Sequence, residues 1–434
     1  MAEIAVNHSG KDKSVCVIGL GYVGLPIAMR AVERVYTVFG LDLDERKIAL
    51  INDGKSPIED AGISEELPRY PFTATTDPSI ISEADIILIC VPTPVDDLHM
   101  PDLGPVKGAT DFIAKHAKKG ALVVLESTVN PGVSEEIVKP ILESAGFVVG
   151  KDMFLAHCPE RINPGDKKWS VKNIPRVVGA TDSIGLERAA AFYRSIVDGE
   201  IRPMKSIREA EAVKIVENSF RDINIAFVNE LAKSFDQLGI DVKDVIRGAA
   251  TKPFAFMAHY PSCGVGGHCI PVDPYYLIER AKLSGFDHRF LKIAREINNS
   301  MPAYTVELLQ DALNSISLPL QGTKVGVLGL AYKPNVDDMR ESPAEDVILA
   351  LEQHSADVAT FDPHVLRLST TKTLTEILER SDALILTTAH KEFIESITPE
   401  LLKEHGIRVL IDGQNAFDRE AITAAGIIYK GIGR

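Results

Sequence analysis

The stretch SVCVIGLGYVGLPIAMRAVERV (residues 14–35) decides the fold expected of this chain. Its first part, SVCVIG at 14–19, is a run rich in β-branched residues with no polar interruption after Ser14, typical of a strand buried on both faces. The glycine-rich turn GLGYVG follows at 19–24, and the apolar spacing of the residues after it predicts a helix. A second predicted strand, TVFGLD, ends in Asp42. We therefore expect a strand–turn–helix–strand unit at the N-terminus.

The spacing of the glycines in this turn favours a dinucleotide-binding site. Gly19 would make the tight turn after the strand, Gly21 would let the backbone approach a pyrophosphate, and Gly24 would allow close packing of the helix. The N-terminus of that helix supplies unpaired N–H groups and a partial positive charge. The Asp42 carboxylate would accept a hydrogen bond from a ribose 2′-hydroxyl and repel a 2′-phosphate, so NAD is favoured over NADP. The alternative is an α/β domain whose glycine-rich turn binds nothing.

Further predicted strands, at 84–91 and 121–128, alternate with helix-like stretches. Repeated strand–helix units of this length imply a doubly wound parallel sheet. The loops VPTP and STVNPG leave the carboxyl ends of these two strands, which is where such sheets bind ligands. Thr93 and Thr128 in these loops are candidates for contacts on the nicotinamide side. For Thr93, capping of the following segment is an equal alternative.

The C-terminal part of the chain repeats this opening with a change. KVGVLGLAYKPNVDD at 324–338 mirrors VCVIGLGYVG. The matched pairs are Gly19 with Gly329, Gly21 with Ala331, Val23 with Lys333 and Gly24 with Pro334. Further predicted strands lie at 357–363, 383–388 and 408–412. The second sheet is therefore expected to bind a phosphorylated ligand through Lys333, and two nucleotide-type domains suggest oxidation of a nucleotide-linked substrate.

A helical segment, roughly 205–310, lies between the two predicted sheets. Apolar residues recur at helical spacing for about thirty residues and Gly239 ends the pattern, which predicts one long helix joining the sheets. Lys214 and Asn218 are one turn apart and therefore share a face of this helix. The alternative for this pair is an ordinary solvated surface.

The loop GVGGHCIPVDP (264–274) places Cys269 among residues that confer flexibility and outside any predicted strand. Buried structural cysteines more often lie in apolar runs, as Cys16 and Cys90 do. An accessible thiol can become nucleophilic beside cationic groups. With NAD as oxidant, such a thiol would capture an aldehyde as a thiohemiacetal, which a second oxidation converts to a thioester that water hydrolyses. The combination predicts a four-electron oxidation.

Composition limits the other classes of function. The 434 residues predict two or three domains, and 45% hydrophobic with 25% charged residues is typical of a globular protein with no membrane-spanning run. A net charge of −14 argues against nucleic acid or an anionic membrane as partner. The five cysteines form no CxxC pair and no metal-ligand spacing, so we expect a reduced cytoplasm and no metal. Residues 1–13 lack the apolar core of a secretory signal and are expected to form a disordered tail.

Six linked motifs make the chain resemble the nucleotide-sugar 6-dehydrogenases, which include UDP-glucose, GDP-mannose and UDP-N-acetylhexosamine enzymes. The resemblance covers nearly the whole chain from about residue 13, and the order and spacing of the motifs make it specific. The motifs are GLGYVGLP (19–26), ESTVNPG (126–132), CPERINPGD (158–166), EAVKIVENSFRDINIAFVNE (211–230), GVGGHCIPVDPYYL (264–277) and GLAYKPNVDDMRESPA (329–344).

The resemblance implies how the chain would carry out the oxidation. Cys269 would be the nucleophile, and Lys214 would stabilise the alkoxide or thiohemiacetal oxyanion. Asn218 would help to orient the C6 oxygen. The product would be a nucleotide-linked uronic acid, a precursor for polysaccharide synthesis.

Three further residues would act on the water or the thioester. Asp273 would lie close to the water and to Lys214, Glu160 would assist hydrolysis, and Thr128 would position the water or the nicotinamide. The alternative for Glu160 is a structural ion pair with Arg161 or another cation. His268 could lower the pKa of the thiol or simply pack.

The same resemblance implies the binding residues. Those for the NAD cofactor are Gly19, Gly21, Tyr22, Val23, Gly24, Asp42, Arg46, Val91, Thr93, Thr128 and Arg340. Those for the UDP-sugar are Arg161, Lys214, Asn218, Phe256, Tyr260, Ser262, Gly266 and Lys333, with Arg295 as a further candidate anchor. Arg340 would contact either the cofactor or a second subunit. A homodimer built on the central helix is also expected.

Within the family, GGHCIPVDP and PERINPGD resemble the branch that acts on UDP-N-acetylglucosamine or its epimers. The UDP-glucose branch typically has a lysine where this chain has Val272. We therefore expect UDP-N-acetylglucosamine as substrate, with UDP-N-acetylmannosamine and then UDP-glucose as alternatives. Gln414 in IDGQN stands where relatives commonly have an arginine, so a charged substrate contact is expected to be missing there or to be supplied by another part of the chain. Alternatives of other classes are a non-catalytic nucleotide-binding protein and a two-electron hydroxyacid dehydrogenase.

The expected architecture is α/β, with two Rossmann-like doubly wound parallel-sheet domains joined by a long central helix. We expect a tail at 1–13, an NAD-binding domain at 14–204, a helical domain with the cysteine loop at 205–312, and a UDP-sugar-binding domain at 313–434.

Overall fold

The computed structural model describes residues 13–58, 60–95, 101–161 and 168–434. All but the last residue of the predicted tail, and residues 162–166 of the CPERINPGD motif, therefore lie outside the described residues. The chain divides into two compact units, one comprising residues 1–217 and 275–284 and the other residues 218–274 and 285–434. Among the described residues, no helix combines the length and the apolar character needed to cross a membrane.

The first unit is built on one eight-stranded sheet. Its strands are β1 (Ser14–Ile18), β2 (Thr37–Leu41), β3 (Thr73–Thr75), β4 (Ile86–Ile89), β5 (Leu122–Leu125), β6 (Phe154–His157), β7 (Arg176–Ala180) and β8 (Ile201–Pro203). The strand order is β3-β2-β1-β4-β5-β6-β7-β8. Neighbouring strands are parallel except for β6 and β7, which are antiparallel. The order reverses between β1 and β4, and ligands bind at such a switch point in doubly wound sheets.

Helices cover both faces of this sheet, as the pattern of β1 requires. They are α1 (Gly24–Glu33), α2 (Glu45–Asn52), α3 (Ala61–Glu66), α4 (Gly104–His116), α5 (Lys139–Ser144) and α6 (Ser183–Ile196). Val15 and Val17 of β1 belong to one buried apolar cluster, and Cys16 and Ile18 belong to another. Because alternate residues of a strand point to opposite faces, both faces of β1 are buried. This explains the absence of polar residues after Ser14.

The second unit contains a five-stranded parallel sheet. Its strands are β9 (Lys324–Leu328), β10 (Asp357–Phe361), β11 (Ala383–Leu386), β12 (Val409–Asp412) and β13 (Ile428–Gly431). The strand order is β10-β9-β11-β12-β13, which is the order of β2-β1-β4-β5-β6 in the first sheet. The repeat seen in the sequence is thus a repeat of the fold, and the expectation of two Rossmann-like parallel sheets is confirmed.

One long helix, α7 (Ile207–Leu238), is divided between the two units: its residues up to Glu217 belong to the first and those from Asn218 belong to the second. It ends where Gly239 adopts a φ of +66°, so the predicted long helix and its stop are confirmed. The remaining helices are α8 (Val242–Ala249), α9 (Asp273–Leu283), α10 (Arg289–Asn299), α11 (Met301–Asn314), α12 (Pro343–Gln353), α13 (Leu374–Glu379), α14 (Lys391–Ser396), α15 (Pro399–Glu404) and α16 (Arg419–Ala424).

Candidate functional site

The glycine-rich turn between β1 and α1 has the geometry of a dinucleotide cradle. Gly19 has a φ of +92°, and a Cβ there would lie 2.7 Å from the carbonyl oxygen of Cys90. A Cβ on Gly24 would lie 1.9 Å from the carbonyl oxygen of Gly19, so neither position accepts a side chain. A Cβ on Gly21, by contrast, would meet nothing within 4 Å. The backbone is therefore open at Gly21, at the N-terminus of α1, and these residues fit a bound pyrophosphate.

The other residues predicted to contact NAD in this turn and in α2 are accessible to a ligand. Tyr22 is exposed, and Val23 is partly exposed. Arg46 is exposed near the start of α2, where its backbone N–H donates to Asp44 Oδ1 at 2.9 Å.

Asp42 stands directly after β2 and is held by the turn itself. Its Oδ2 accepts a hydrogen bond from the Leu20 N–H at 2.8 Å, and its Oδ1 accepts one from the Asp44 N–H at 3.0 Å. Lys47 Nζ lies 3.6 Å from Oδ2. The contacts with Leu20 and Lys47 were not predicted, because the pattern assigned Asp42 only to a ribose. Contact with a ribose stays a prediction.

The loops that follow β4 and β5 are tied to each other. The Thr93 hydroxyl donates to the Thr128 carbonyl oxygen at 2.8 Å, and the Ser127 hydroxyl donates to the Val91 carbonyl oxygen at 2.7 Å. The Tyr276 hydroxyl in turn donates to the Thr93 carbonyl oxygen at 2.6 Å. Thr93 therefore links the two loops at the carboxyl edge of the sheet. Its hydroxyl can still accept a hydrogen bond from a nicotinamide amide, but it can donate one only if the bond to Thr128 is shared or broken.

The loop that carries Thr128 is also held from α7. Glu211 is buried, and its carboxylate accepts the N–H groups of Gly132 at 2.6 Å and Ser134 at 2.9 Å. Burial raises the pKa of this carboxyl, and the two backbone donors partly oppose that effect. Sequence reasoning missed this contact. The available signal was an acidic residue at a position of α7 that the apolar spacing marks as buried.

Glu160 belongs to a buried ion network. Its Oε2 lies 3.1 Å from one guanidinium nitrogen of Arg176, and Glu126 Oε2 lies 3.0 Å from another. The other oxygen of Glu160 accepts the Arg161 N–H at 2.6 Å. Burial raises the pKa of Glu126 to about 7, against the attraction of Arg176. The ion pair weighed as an alternative for Glu160 is thus present, with Arg176 as the cation, and the hydrolytic role stays a prediction.

Both arginines considered as substrate anchors have partners within the protein. Arg161 forms an ion pair with Glu217 and donates to the Pro175 carbonyl oxygen at 2.8 Å. Arg295 is buried and lies 2.5 Å from Asp222 Oδ1. Sequence reasoning could not pair these residues, because their partners are remote along the chain.

Cys269 differs from the other cysteines in its exposure. It is partly exposed, whereas the other four are buried, and all five lie in the described part of the chain. Burial raises the pKa of the thiols of Cys16, Cys158 and Cys263 to about 12 and that of Cys90 well above its usual value. Those four thiols are therefore inert at neutral pH.

The glycines before Cys269 permit close packing, which corrects the expectation that they make a flexible loop. A Cβ on Gly266 would lie 2.7 Å from the carbonyl oxygen of Glu341, and one on Gly267 would lie 2.8 Å from the ring of Tyr332. The Gly267 N–H donates to the Arg340 carbonyl oxygen at 3.0 Å. The loop is thus packed against the segment after β9, and that contact fixes the backbone two residues before Cys269.

Asp273 joins the cysteine loop to α7. It begins α9, is buried, and donates its N–H to the Cys269 carbonyl oxygen at 2.8 Å. Its Oδ2 accepts a hydrogen bond from Asn218 Nδ2 at 2.5 Å. The structure therefore brings Asn218, Asp273 and Cys269 together within the second unit. Lys214 is partly exposed one turn before Asn218, in the part of α7 that belongs to the first unit.

The segment before the cysteine loop supplies the three residues expected to wrap the nucleotide. Ser262 is held by two hydrogen bonds: its N–H donates to Asn229 Oδ1 at 3.0 Å, and its hydroxyl donates to the Gly264 carbonyl oxygen at 2.7 Å. Phe256 packs against the apolar core of the second unit. Tyr260 is 49% exposed and accessible for stacking.

Two further predicted positions lie at the carboxyl edge of the second sheet. Lys333 is partly buried in the loop after β9. Arg340 is exposed and forms an ion pair with Asp338 at 2.6 Å. Gln414, after β12, donates from Nε2 to the Thr387 carbonyl oxygen at 2.6 Å, an uncharged contact within the protein.

Comparison with known proteins agrees with this architecture. Three family models match in order: the NAD binding domain of the UDP-glucose/GDP-mannose dehydrogenase family at residues 13–197, its central domain at 208–300 and its UDP binding domain at 326–419. The first supports NAD as the cofactor of the glycine-rich turn.

Individual relatives point the same way. The chain is 38% identical to UDP-N-acetyl-D-glucosamine 6-dehydrogenase of Pseudomonas aeruginosa, over 88% of this chain and 92% of that protein. It superposes on the structure of a UDP-D-ManNAc dehydrogenase from Pyrococcus horikoshii with a TM-score of 0.91 and 35% identity, covering 97% and 99% of the two chains. An NDP-N-acetyl-D-galactosaminuronic acid dehydrogenase from Methanosarcina mazei gives a TM-score of 0.86 at 32% identity, covering 99% and 97%. The chain belongs to the UDP-glucose/GDP-mannose dehydrogenase family and is an NAD-dependent nucleotide-sugar dehydrogenase.

Proposed function

We propose that the protein oxidises C6 of a UDP-N-acetylhexosamine to the corresponding uronate in two successive two-electron steps. The primary alcohol loses a hydride and a proton to give the aldehyde. The Cys269 thiol then adds to the aldehyde carbonyl to give a thiohemiacetal, which loses a second hydride and its hydroxyl proton and becomes a thioester. Water cleaves the thioester, returning the thiol and releasing the carboxylate. NAD, when bound, accepts one hydride in each oxidation, so two NADH form per sugar.

The state of Cys269 is the observation that carries this proposal. A dehydrogenase that stops at the carbonyl needs no thiol, yet this chain holds one partly exposed cysteine in a tightly packed loop. The carbonyl oxygen of that cysteine accepts the N–H of Asp273, whose carboxylate is bonded to Asn218. These contacts fix the backbone of Cys269, and a partly exposed thiol on a fixed backbone suits covalent capture of an aldehyde.

The remaining roles follow from the family resemblance. Lys214 would stabilise the oxyanion, and Asn218 would orient the C6 oxygen. Asp273 and Thr128 would place the water. Glu160 would assist hydrolysis, with its charge held in place by Arg176.

UDP-N-acetylglucosamine is the substrate we favour. The relative named for that activity is 38% identical, and several relatives named as UDP-N-acetyl-D-mannosamine dehydrogenases are 33–36% identical. The difference in identity between these two groups of relatives is small. Overall identity separates the two activities poorly, because recognition of the C2 configuration depends on a few pocket contacts, each worth about 1–3 kcal/mol. UDP-N-acetylmannosamine is therefore the second candidate, and UDP-glucose is the third.

We also propose a homodimer in the cytoplasm. Phe220 and Phe227 lie two turns apart on α7 and are 47% and 53% exposed, which is unusual for phenylalanine and suits a helix that packs against a second copy. All five cysteines lie in the described part of the chain and form no disulfide with one another, which suits a reducing compartment. Sedimentation of the wild type and of Phe227→Asp tests this interface. We expect the wild type to be a dimer and the variant to be a monomer, and a dimeric variant would contradict the proposed interface.

The decisive experiment measures NADH formed per molecule of limiting sugar, with UDP-N-acetylglucosamine, UDP-N-acetylmannosamine and UDP-glucose assayed in parallel. We expect two NADH per sugar and the highest kcat/KM with UDP-N-acetylglucosamine. One NADH per sugar would mean that the reaction stops at the aldehyde. A higher kcat/KM for another of the three sugars would reassign the substrate and leave the chemistry intact.

A further inference from the structure

The loop that carries Lys333 is fixed to the end of β10 by one carboxylate. Asp362, the first residue after β10, is buried, and its Oδ2 accepts the N–H groups of Leu330 at 2.6 Å and Ala331 at 2.9 Å. Its Oδ1 accepts the His364 N–H at 2.8 Å. Burial disfavours the charged form, but these donors and His390 outweigh burial and hold the pKa of Asp362 at about 2. The carboxylate is therefore ionised at neutral pH.

His390 extends this attachment to the far side of the loop. The ring is buried, its Nδ1 lies 2.9 Å from the Asn335 backbone nitrogen, and its Nε2 lies 3.0 Å from Asp362 Oδ2. A backbone N–H can only donate, so Nδ1 is the acceptor and the proton resides on Nε2, which donates to the carboxylate. The two bonds select one neutral tautomer. They also hold Asn335, whose backbone adopts a φ of +62° two residues after Lys333.

The equivalent positions of the first sheet can be compared with the contacts of Asp362 and His390. Ile18 pairs with Ile89 in the first sheet as Leu328 pairs with Leu386 in the second, so Thr93 and His390 occupy equivalent positions, four residues after those strand partners. At the first turn Asp42 accepts the Leu20 N–H, whereas Asp362 accepts two successive amides of the second turn. Both aspartates thus accept backbone N–H groups of their own turn, and Asp362 accepts one more than Asp42 does.

We propose that His390 is a positioning residue: it clamps the 329–338 loop between Asp362 and Asn335 so that Lys333 meets the diphosphate of the UDP-sugar. The inference rests on the proposed function, in which Lys333 contacts that substrate. Lysine has a long flexible side chain, and a fixed backbone reduces the entropy lost when its ammonium group binds a phosphate.

A metal ion is a weaker explanation for the same histidine. His364 stacks on the His390 ring with 4.7 Å between centroids, and its Nε2 lies 3.4 Å from the Glu392 carboxylate, so a set of metal-ligating types is present. Both ring nitrogens of His390 are already in hydrogen bonds with Asn335 and Asp362. A metal would have to break one of them.

The test compares His390→Leu with His390→Gln and uses His354→Leu, at an exposed histidine of the same unit, as the matched control. Leucine removes both bonds. The carboxamide of glutamine presents one acceptor and one donor about as far apart as the two ring nitrogens, so it can replace both. We expect His390→Leu to raise the UDP dissociation constant, measured by calorimetry, about tenfold and to raise KM for the UDP-sugar by a similar factor. The NAD dissociation constant should not change. His390→Gln should recover most of the loss, and the control should match the wild type.

Amide hydrogen exchange of residues 329–338 gives an independent measurement that does not require the leucine variant to fold. Slow exchange of the Asn335 N–H in the wild type, and faster exchange in a folded His390 variant, would support the clamp. Fast exchange in the wild type, or unchanged UDP affinity in folded His390→Leu, would overturn it. Failure of the wild type to bind UDP would instead contradict the proposed function, because exchange at Asn335 reports the clamp without any ligand.

Discussion

Gly21 and Gly24 lie three residues apart in one turn, yet a methyl group added at each would meet different surroundings. At Gly24 it would lie 1.9 Å from a backbone oxygen, so Gly24→Ala should lower the free energy of unfolding by at least about 2 kcal/mol. At Gly21 the space is open, so Gly21→Ala should leave stability within about 1 kcal/mol but block the approach of a pyrophosphate and weaken NAD binding roughly tenfold. Urea unfolding and NAD titration of both variants separate the two effects. Equal effects on stability would contradict this division of roles.

Cys269 and Cys263 form a second pair for comparison, since one thiol is partly exposed and the other is buried. Cys269→Ala should abolish uronate formation while NAD and UDP still bind with affinities within about twofold, because the methyl side chain keeps the backbone contacts of the loop. Cys263→Ala should keep turnover and lose only about 1 kcal/mol of stability. Product analysis and NADH counting provide the measurement. Uronate made at the normal rate by Cys269→Ala would rule out the covalent route.

Strand β6 carries a buried histidine that should make the first unit sensitive to acid. His157 is buried, and among the described residues neither ring nitrogen has a hydrogen-bond partner. Burial lowers the pKa of His157 from 6.5 to about 3, so the unfolded chain binds a proton between these values and the folded chain does not. The contribution to stability is complete above pH 6.5 and is lost as the pH falls below it. Between pH 7.5 and 5 the loss should be about 2 kcal/mol.

Urea unfolding of the first unit at those two pH values tests this expectation. His157→Leu cannot titrate, so its stability should fall by about 2 kcal/mol less than that of the wild type over the same range. His288→Leu, at a position in the second unit, is the matched control and should retain the wild-type dependence. An identical pH dependence in His157→Leu would show that other groups cause the acid sensitivity.

The chain divides into two units, one with buried apolar clusters around the eight-stranded sheet and the other with buried apolar clusters around the five-stranded sheet. NAD should therefore stabilise the first unit and UDP the second, each by about 2.7 kcal/mol at a hundredfold excess over its dissociation constant. Hydrogen exchange measured separately for peptides of the two sheets checks this, with NADP as the control ligand. Equal protection of both sheets by either nucleotide would show that the units unfold together.

Local patterns were sufficient to predict the elements. The apolar run of β1 and the thirty-residue helical spacing of α7 each predicted an element with the observed bounds to within one or two residues, because the spacing of apolar residues is a local property of the sequence. The repeat of the glycine turn predicted the second sheet for the same reason. The family and the cofactor also followed from motifs, since the spacing within each motif is itself local.

The partners of the candidate site residues were decided by tertiary structure alone. Arg176 reaches Glu126 across fifty residues, Asp362 reaches Leu330 across thirty-two, and His390 reaches Asn335 across fifty-five. No local pattern encodes such pairs, because parallel strands bring together carboxyl ends that are separated by whole helices. Local sequence patterns were therefore enough to predict the two sheets and the long helix and to single out Cys269 as the candidate nucleophile. Tertiary packing alone paired the charged groups around the candidate site, since a buried charge is stable only where the fold supplies its partner.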